Sequence, residues 1–380
     1  MIQEFNTAKA GPKTHVLLIG VGGYPFLKDG TNSVPQIGEV ANLGQLTSPM
    51  PSVTAFYNKI IEYDTKAEWL KPLGSIEILV TPPPNSVAAL PALNIENASL
   101  QNIRKSYFSW KARCDQHEDN VALFYYCGHG FQKSKHFLLA DDFGEIPQNP
   151  WLNAFNFDDT RDAFYECKAT TPVFLVDACR QVTVEMLEKD LTVAPIDNPS
   201  LINPEESLNH LTLKATAAGT SAYGKINEPT YFIQAVISGL DGLVARQENN
   251  DWLIETADMS VHIHRLLELI KPGQGFKQRC QPRNGMPAAI LSRKNAPSAW
   301  LEISCDPDGA LPLAGLSCVE DEENPTITFS RPPEAGTWKL NLKAGNYKLA
   351  ADFQPGGNFK NSSKKTAVIP PIKKDKIICT

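Results

Sequence analysis

The sequence predicts an α/β fold: a mostly parallel β-sheet flanked by helices, followed by a small all-β C-terminal domain. Three observations predict it. Short apolar, β-branched runs alternate with amphipathic, helix-length segments over the first three quarters of the chain. Those helical segments are long enough for the crossovers that parallel pairing requires. Near residue 296 they give way to proline, glycine and alternating patterns. Two domains follow from this, residues 1–295 and residues 296–380, the second a β-sandwich-like accessory domain.

The elements read in order as follows. His15–Gly20 is a short apolar run ending in glycine, hence a buried strand. Ser52 precedes a run with helical spacing and serves as its predicted N-cap. Ser75–Thr81 is a strand, stopped by Pro82-Pro83-Pro84. Over Asn97–Gln116, Leu100, Ile103, Tyr107 and Trp110 fall on one helical face. Asn120–Cys127 and Pro172–Asp177 are buried strands, separated by a helix over Phe155–Ala169 with Asn156 or Asp158 near its start. Leu211–Thr216 and Trp252–Thr256 are further strands, and Thr230–Leu240 and Met259–Leu269 are helices. Beyond residue 296, Trp300–Ser304, Thr326–Ser330, Trp338–Leu342 and Tyr347–Phe353 read as strands between turns. The lysine-rich tail, Lys364–Lys376, reads as a solvated extension.

Composition narrows the function. With 42% hydrophobic and 21% charged residues, the chain has the profile of a soluble globular protein. A net charge of −6 argues against nucleic acid and anionic membrane as partners. Residues 1–13 are polar, unlike a signal peptide, and no apolar run approaches the roughly 20 residues of a membrane helix. The eight cysteines are scattered without a CxxC pair, so neither a zinc site nor a disulfide framework is indicated, and a cytoplasmic setting is expected. Gly20-Val-Gly-Gly is a poor dinucleotide loop because its third glycine position is Pro25. His262 and His264 lie in a Leu- and Ile-rich helical stretch, and His15, His117, His136 and His210 carry no partner pattern.

In parallel sheets, ligands gather beyond the carboxyl ends of the strands. Two such ends stand out: Cys127-Gly-His129-Gly130 and Asp177-Ala-Cys179-Arg180. A thiol with a pKa near ~8.5 needs a base to become a nucleophile, and histidine serves both as that base and as the acid for a leaving amine. A glycine beside the histidine lets backbone N–H groups approach a developing oxyanion.

The cysteine follows the histidine by 50 residues (179 less 129). Asp177-Ala-Cys179-Arg180-Gln181, at that spacing, resembles the caspase superfamily, which covers caspases, metacaspases and their bacterial relatives. Leu18-Ile-Gly-Val-Gly-Gly-Tyr-Pro, Phe137-Leu-Leu-Ala-Asp141 and Ala217-Ala-Gly-Thr-Ser-Ala-Tyr223 are similar to the family as well. The resemblance covers roughly residues 14–295. It implies a caspase-like sheet and a cysteine endopeptidase with His129 and Cys179 as its catalytic dyad. The backbone of Gly130 and Cys179 would face the oxyanion.

The resemblance also bears on specificity. Caspases have glutamine two residues before the nucleophile, whereas metacaspases have aspartate, as Asp177 is here. Caspases carry Ser-Trp-Arg after the fifth strand; the similar stretch here is Ser221-Ala-Tyr223, without the arginine. Cleavage after arginine or lysine is therefore predicted, with Asp177, Cys127, Ser221 and Tyr223 as substrate-binding residues. One departure is that metacaspases open their first helix with Asn-Asp, where this chain has Pro51-Ser52-Val53.

The polar segment between Arg180 and Leu211 matches the region severed on activation in the family, and Lys189 is the predicted self-cleavage site. No metal or cofactor is predicted, with calcium dependence left open. The partners implied are a protein or peptide substrate and an activating protein acting through the C-terminal domain. Bacterial relatives serve signalling, stress or defence. The alternative is an inactive caspase-like scaffold whose β domain mediates protein binding.

Overall fold

The computed structural model describes residues 2–36, 38–86, 90, 94–180, 192–200, 208–217, 224–270, 278–322 and 327–380. The chain forms two compact units: Met1–Ile237 with Glu255–Leu291, and Ser238–Ile254 with Ser292–Thr380. A single boundary at residue 296 does not give this division, because Ser238–Ile254 clusters with the C-terminal residues.

The strands up to the ninth are β1 (Ile2–Glu4), β2 (Thr14–Val21), β3 (Leu73–Thr81), β4 (Val121–Gly128), β5 (Gly130–Gln132), β6 (His136–Leu139), β7 (Ala154–Asn156), β8 (Thr171–Ala178) and β9 (Leu211–Lys214). Four more follow: β10 (Arg246–Glu248), β11 (Asp251–Glu255), β12 (Gln281–Asn284) and β13 (Ala289–Arg293). The helices are α1 (Pro49–Thr65), α2 (Leu100–Cys114), α3 (Phe157–Phe164), α4 (Tyr231–Ser238) and α5 (Thr256–Ile270).

A seven-stranded sheet of order β1-β3-β2-β4-β8-β9-β12 forms the frame of the first unit. Its inner strands β3, β2, β4, β8 and β9 pair in parallel, and β1 and β12 close the edges antiparallel. Strands β2, β4 and β8 are buried along their whole length, as strands covered on both faces must be. Alternation divides them between two layers. Leu17, Ile19, Phe124, Tyr126, Phe174 and Val176 share one core with Ile103, Tyr107 and Trp110 of α2. On the other face, Phe56 of α1 packs edge-on against Tyr125 at 5.5 Å.

Two helices differ from the sequence expectation, each for a local reason. Helix α1 starts at Pro49, before the predicted cap Ser52. Proline in a first turn lacks only an N–H that would be unpaired anyway, so Pro49 and Pro51 extend the helix backwards. Ser52 is then interior, and its Oγ accepts from the backbone N–H of Thr230 at 3.0 Å. Helix α3 is shorter than Phe155–Ala169. Phe155 pairs with Leu138 in the β6–β7 ladder, and Asn156 caps the helix by accepting from the N–H of Asp159. After Phe164 the chain is drawn off by bonds from the N–H groups of Lys168 to Asp115 and Thr170 to the Glu118 carbonyl.

The second unit contains β14 (Ser298–Asp306), β15 (Gly315–Glu320), β16 (Thr328–Arg331), β17 (Trp338–Lys343), β18 (Gly345–Asp352), β19 (Ser362–Val368) and β20 (Ile372–Ile378). They form two sheets, β17-β14-β20 and β16-β15-β18-β19, whose inward residues make a core including Leu301, Ile303, Leu316, Leu349 and Val368. The lysine-rich tail is thus not a solvated extension but two strands. Alternation turns Val368 and Ile377 into that core while the lysines point outward to carboxylates: Lys374 to Glu302 at 3.0 Å and Lys365 to Asp321 at 2.9 Å. Among the described residues, no helix is long and apolar enough to cross a membrane.

Trp110 ties α2 to the sheet. It stacks on Phe164 at 4.6 Å, and its Nε1–H donates to the His15 carbonyl at 3.0 Å. Trp110→Ala is expected to cost about 3–5 kcal/mol of unfolding free energy in urea titration. A loss below about 1 kcal/mol would show that this layer carries little of the stability.

Candidate functional site

The parallel pairing of β4 with β8 fixes the geometry of the site. Every register pair, from Val121 with Thr171 to Gly128 with Ala178, carries the same offset of 50 (178 less 128). His129 and Cys179 are the next residue on each strand beyond the last pair. Adjacent strands lie about 4.8 Å apart. One pair earlier, Cys127 sits opposite Asp177. All four side chains line one cavity of about 430 Å³, whose other walls come from residues 45–49 and from Gly224, Lys225, Ile226 and Thr230.

Several groups fix His129. Its backbone N–H donates to the hydroxyl of Tyr24 at 2.8 Å, and its carbonyl accepts from the Tyr126 hydroxyl at 3.0 Å. The Tyr24 ring lies 4.8 Å from the imidazole. Imidazole Nε2 is 2.8 Å from the carbonyl of Gly44. A carbonyl only accepts, so Nε2 carries the proton and the neutral ring keeps Nδ1 as its basic nitrogen. Burial lowers the His129 pKa below the usual histidine value, with the Gly44 bond opposing the shift, so the ring is neutral near pH 7.

The Gly44 carbonyl is itself positioned by its neighbour. The Gln45 side chain accepts from the Tyr24 N–H at 2.8 Å and donates to the carbonyls of Tyr24 and Lys28.

The two thiols differ. Cys127 is buried, and burial beside Asp177 pushes its pKa well up, so it is held as an inert thiol in the cavity wall. Cys179 is only partly buried and forms no disulfide. Its carbonyl lies 3.2 Å from His136 Nε2, which therefore donates to it. Gly130 packs directly against Cys179. A Cβ there would come within 2.9 Å of Ala178 Cβ, the Cys179 carbonyl oxygen and His136 Nε2. Only glycine allows β5 to start this close to the loop bearing Cys179.

Asp177 is 2% exposed. One carboxylate oxygen, Oδ2, accepts from the hydroxyls of Tyr125, at 3.1 Å, and of Thr230. The other, Oδ1, has no hydrogen-bond partner among the described residues. Burial raises its pKa to about 6, while the hydroxyls of Thr230 and Tyr125 and the thiol of Cys127 act in the opposite direction. Thr230 also caps α4, its Oγ1 accepting from the N–H of Ile233 at 3.2 Å.

Of the predicted site residues, the fold brings His129, Cys179, Asp177 and Cys127 together and sets Gly130 against Cys179. Ser221, Tyr223 and Lys189 lie outside the described residues. Sequence reasoning missed Tyr24, the Gly44 carbonyl, Tyr125, Thr230 and His136. For Thr230 a signal existed, since threonine before an apolar helical run is an N-cap. Among the described residues, no group of three or more His, Cys, Asp or Glu side chains could hold a metal ion.

A parallel sheet with histidine and cysteine at adjacent carboxyl ends defines a protein of the caspase-like α/β class. The profile of the caspase domain matches residues 85–286, more than half of the chain, and the chain belongs to that family. It is 26% identical over 261 residues to the "uncharacterized protein y4kE" of Sinorhizobium fredii, an overlap of 64% of this chain and 72% of that protein. Among solved structures it is similar to caspase-1 from Spodoptera frugiperda, with a TM-score of 0.41 and 10% identity over 73% of this chain and 90% of that one.

Gly130→Ala is expected to force β5 away from Cys179 and to cost about 1–3 kcal/mol of stability in urea titration. Stability within about 0.5 kcal/mol of wild type would show that the approach is not tight.

Proposed function

We propose that the chain is a cysteine endopeptidase that cleaves after arginine or lysine. The observation that carries this reading is Asp177 Oδ1, a buried carboxylate oxygen without a hydrogen-bond partner among the described residues, in the cavity that also holds His129 and Cys179. Keeping such a carboxylate is costly. Its raised pKa reflects that cost, which an incoming guanidinium or ammonium would relieve by a charge-assisted hydrogen bond. An aspartate side chain would instead be repelled.

The chemistry follows from the tautomer. His129 Nδ1 takes the proton of the Cys179 thiol, and Sγ attacks the carbonyl carbon of the basic residue itself. The tetrahedral oxyanion is held by the backbone N–H groups of Gly130 and Cys179. Its collapse breaks the C–N bond as the imidazolium hands its proton to the leaving amine, giving a thioester on Cys179. Water, deprotonated by His129, attacks the thioester, releases the carboxylic acid and restores the thiol. The Gly44 carbonyl holds the ring in orientation throughout. Self-cleavage at Lys189 and activation by a protein partner belong to the same reading.

Cys179→Ala is expected to abolish cleavage of Arg-containing peptides, and Cys127→Ala to retain most of it. The same samples followed by intact mass are expected to show a cut at Lys189 only where Cys179 is present. Loss of turnover in Cys127→Ala alone would assign the nucleophile to the wrong thiol.

Asp177→Asn gives a separate test in two readouts. Losing the carboxylate is expected to lower kcat/KM on Arg peptides by about 2–5 kcal/mol, thirtyfold or more. Because the folded pKa is raised to about 6, ionisation of Asp177 costs stability as pH rises through that value. The variant is therefore expected to melt higher than wild type at pH 8, with the gain shrinking as pH falls below about 6. Unchanged turnover of Arg peptides would remove Asp177 from substrate recognition.

A further inference from the structure

A second histidine stands beside the site, and the peptidase chemistry gives it no proton to move. His136, on β6, is fully buried. Its Nε2 lies 3.2 Å from the Cys179 carbonyl, so Nε2 carries the proton and donates. Nδ1 is then left with a bare lone pair, buried and without a hydrogen-bond partner among the described residues. Such an atom destabilises the fold, and an apolar side chain of similar size would fill the space without it. The ring is no acid or base near pH 7. Burial, with Lys214 and Arg180 nearby, lowers its pKa to about 3, against the opposing charge of Asp158. What a histidine provides here is the Nε2–H.

The ring is held where that donor is wanted. The backbone N–H of His136 donates to Asp158 Oδ2 at 2.8 Å, and the residue pairs with Gln132 across the β5–β6 ladder. Asp158 is clamped in turn by Lys214 and Arg161. The imidazole lies edge-on to Phe157 at 6.2 Å. Gly130 keeps the path to the carbonyl open, since a Cβ there would come within 2.9 Å of Nε2.

We propose that His136 is a positioning residue: by holding the Cys179 carbonyl, it fixes the direction in which Cys179 presents its sulfur to His129. The role rests on the peptidase reading. The β4–β8 ladder ends with Gly128 and Ala178, so Cys179 is the first residue beyond it. That last pair anchors Cys179 on its amino side, and His136 anchors it on its carboxyl side. With both sides held, the backbone torsions of Cys179 are set, and with them the Cα–Cβ bond that carries Sγ. Without the donor, rotation at the carbonyl side lets the sulfur leave the reach of Nδ1, and a misplacement of about 1 Å costs about a hundredfold in rate. Asp177 lies inside the ladder, opposite Cys127, so the pocket for the basic residue does not move with it. Turnover then depends on His136, and substrate binding does not.

The test compares His136→Gln with His136→Met on Arg-containing peptides. The two replacements are alike in length and volume, but only glutamine brings an N–H to the carbonyl. Methionine is expected to lower kcat about tenfold or more with KM unchanged, and glutamine to stay within about threefold of wild type. Equal turnover in the two variants, or a raised KM with kcat intact, would overturn the role. His136→Leu, shorter and likewise without a donor, is expected to match methionine and takes its place if methionine does not fold. A further readout needs no peptidase activity. The iodoacetamide adduct that Cys179→Ala removes is followed by intact mass near pH 7. It is expected to form about tenfold more slowly in His136→Met than in His136→Gln, because the sulfur has lost its base. A wild type that cleaves no Arg peptide would sink the peptidase reading and leave the adduct rates to decide. Equal adduct rates would remove His136 from the positioning of Cys179.

Discussion

The parallel register of β4 on β8 is the constraint on which the site depends. Hydrogen bonding between the two strands sets Gly128 beside Ala178, and the next residue on each is a catalytic candidate. A slip of one residue would turn the whole of β8 to the wrong face and separate His129 from Cys179. The register is protected because both faces of both strands are buried. A slip would drive Asp177 into the Phe174 and Val176 layer and leave those side chains in the cavity. Packing far from the site therefore holds the distance within it.

The sheet also separates two electrostatic environments of opposite sign. On the side of α1, Asp177 is a carboxylate without an ion-pair partner among the described residues. On the side of α3, Arg180, only three residues later, is a cation whose hydrogen bonds among the described residues go to neutral groups, with Asp158 as a more distant negative charge. Between them lies the strand end bearing Cys179. His136 joins the two sides, since its Nε2–H reaches the Cys179 carbonyl while its backbone N–H donates to Asp158 Oδ2 at 2.8 Å. Burial, together with Lys214 and Arg180, pulls the His136 pKa down to about 3, so this linker stays neutral. Asp158 is held at about 2, because Lys214 and Arg161 outweigh the effect of its burial.

Much of this was legible in the sequence, for physical reasons. Runs such as Val121–Gly128 are apolar throughout, which only a strand covered on both faces requires. The His-to-Cys spacing of 50 is the register offset itself, so a motif distance and a hydrogen-bond ladder are the same fact. What was not legible depended on alternation within polar segments and on the main chain. The tail from Lys364 looks solvated by composition, yet every second residue turns inward and the lysines meet carboxylates distant in sequence. The start of α1 was missed because proline reads as a breaker although it suits a first turn. Tyr24, Tyr125 and Thr230 were missed because a hydroxyl becomes functional only once the fold has brought it to its partner.

The Gly44 carbonyl has a consequence of its own. It orients His129 as a third side chain would, but it belongs to the backbone. No substitution at position 44 deletes that oxygen, so the orienting group is shielded from point mutation in a way that His129 and Cys179 are not. Drift in the chain around it is tolerated so long as Gln45 still clamps Tyr24. An orienter of this kind leaves no letter in the sequence. Relatives that share it need share no residue there, and the path of the chain, rather than its spelling, is what inheritance has to keep.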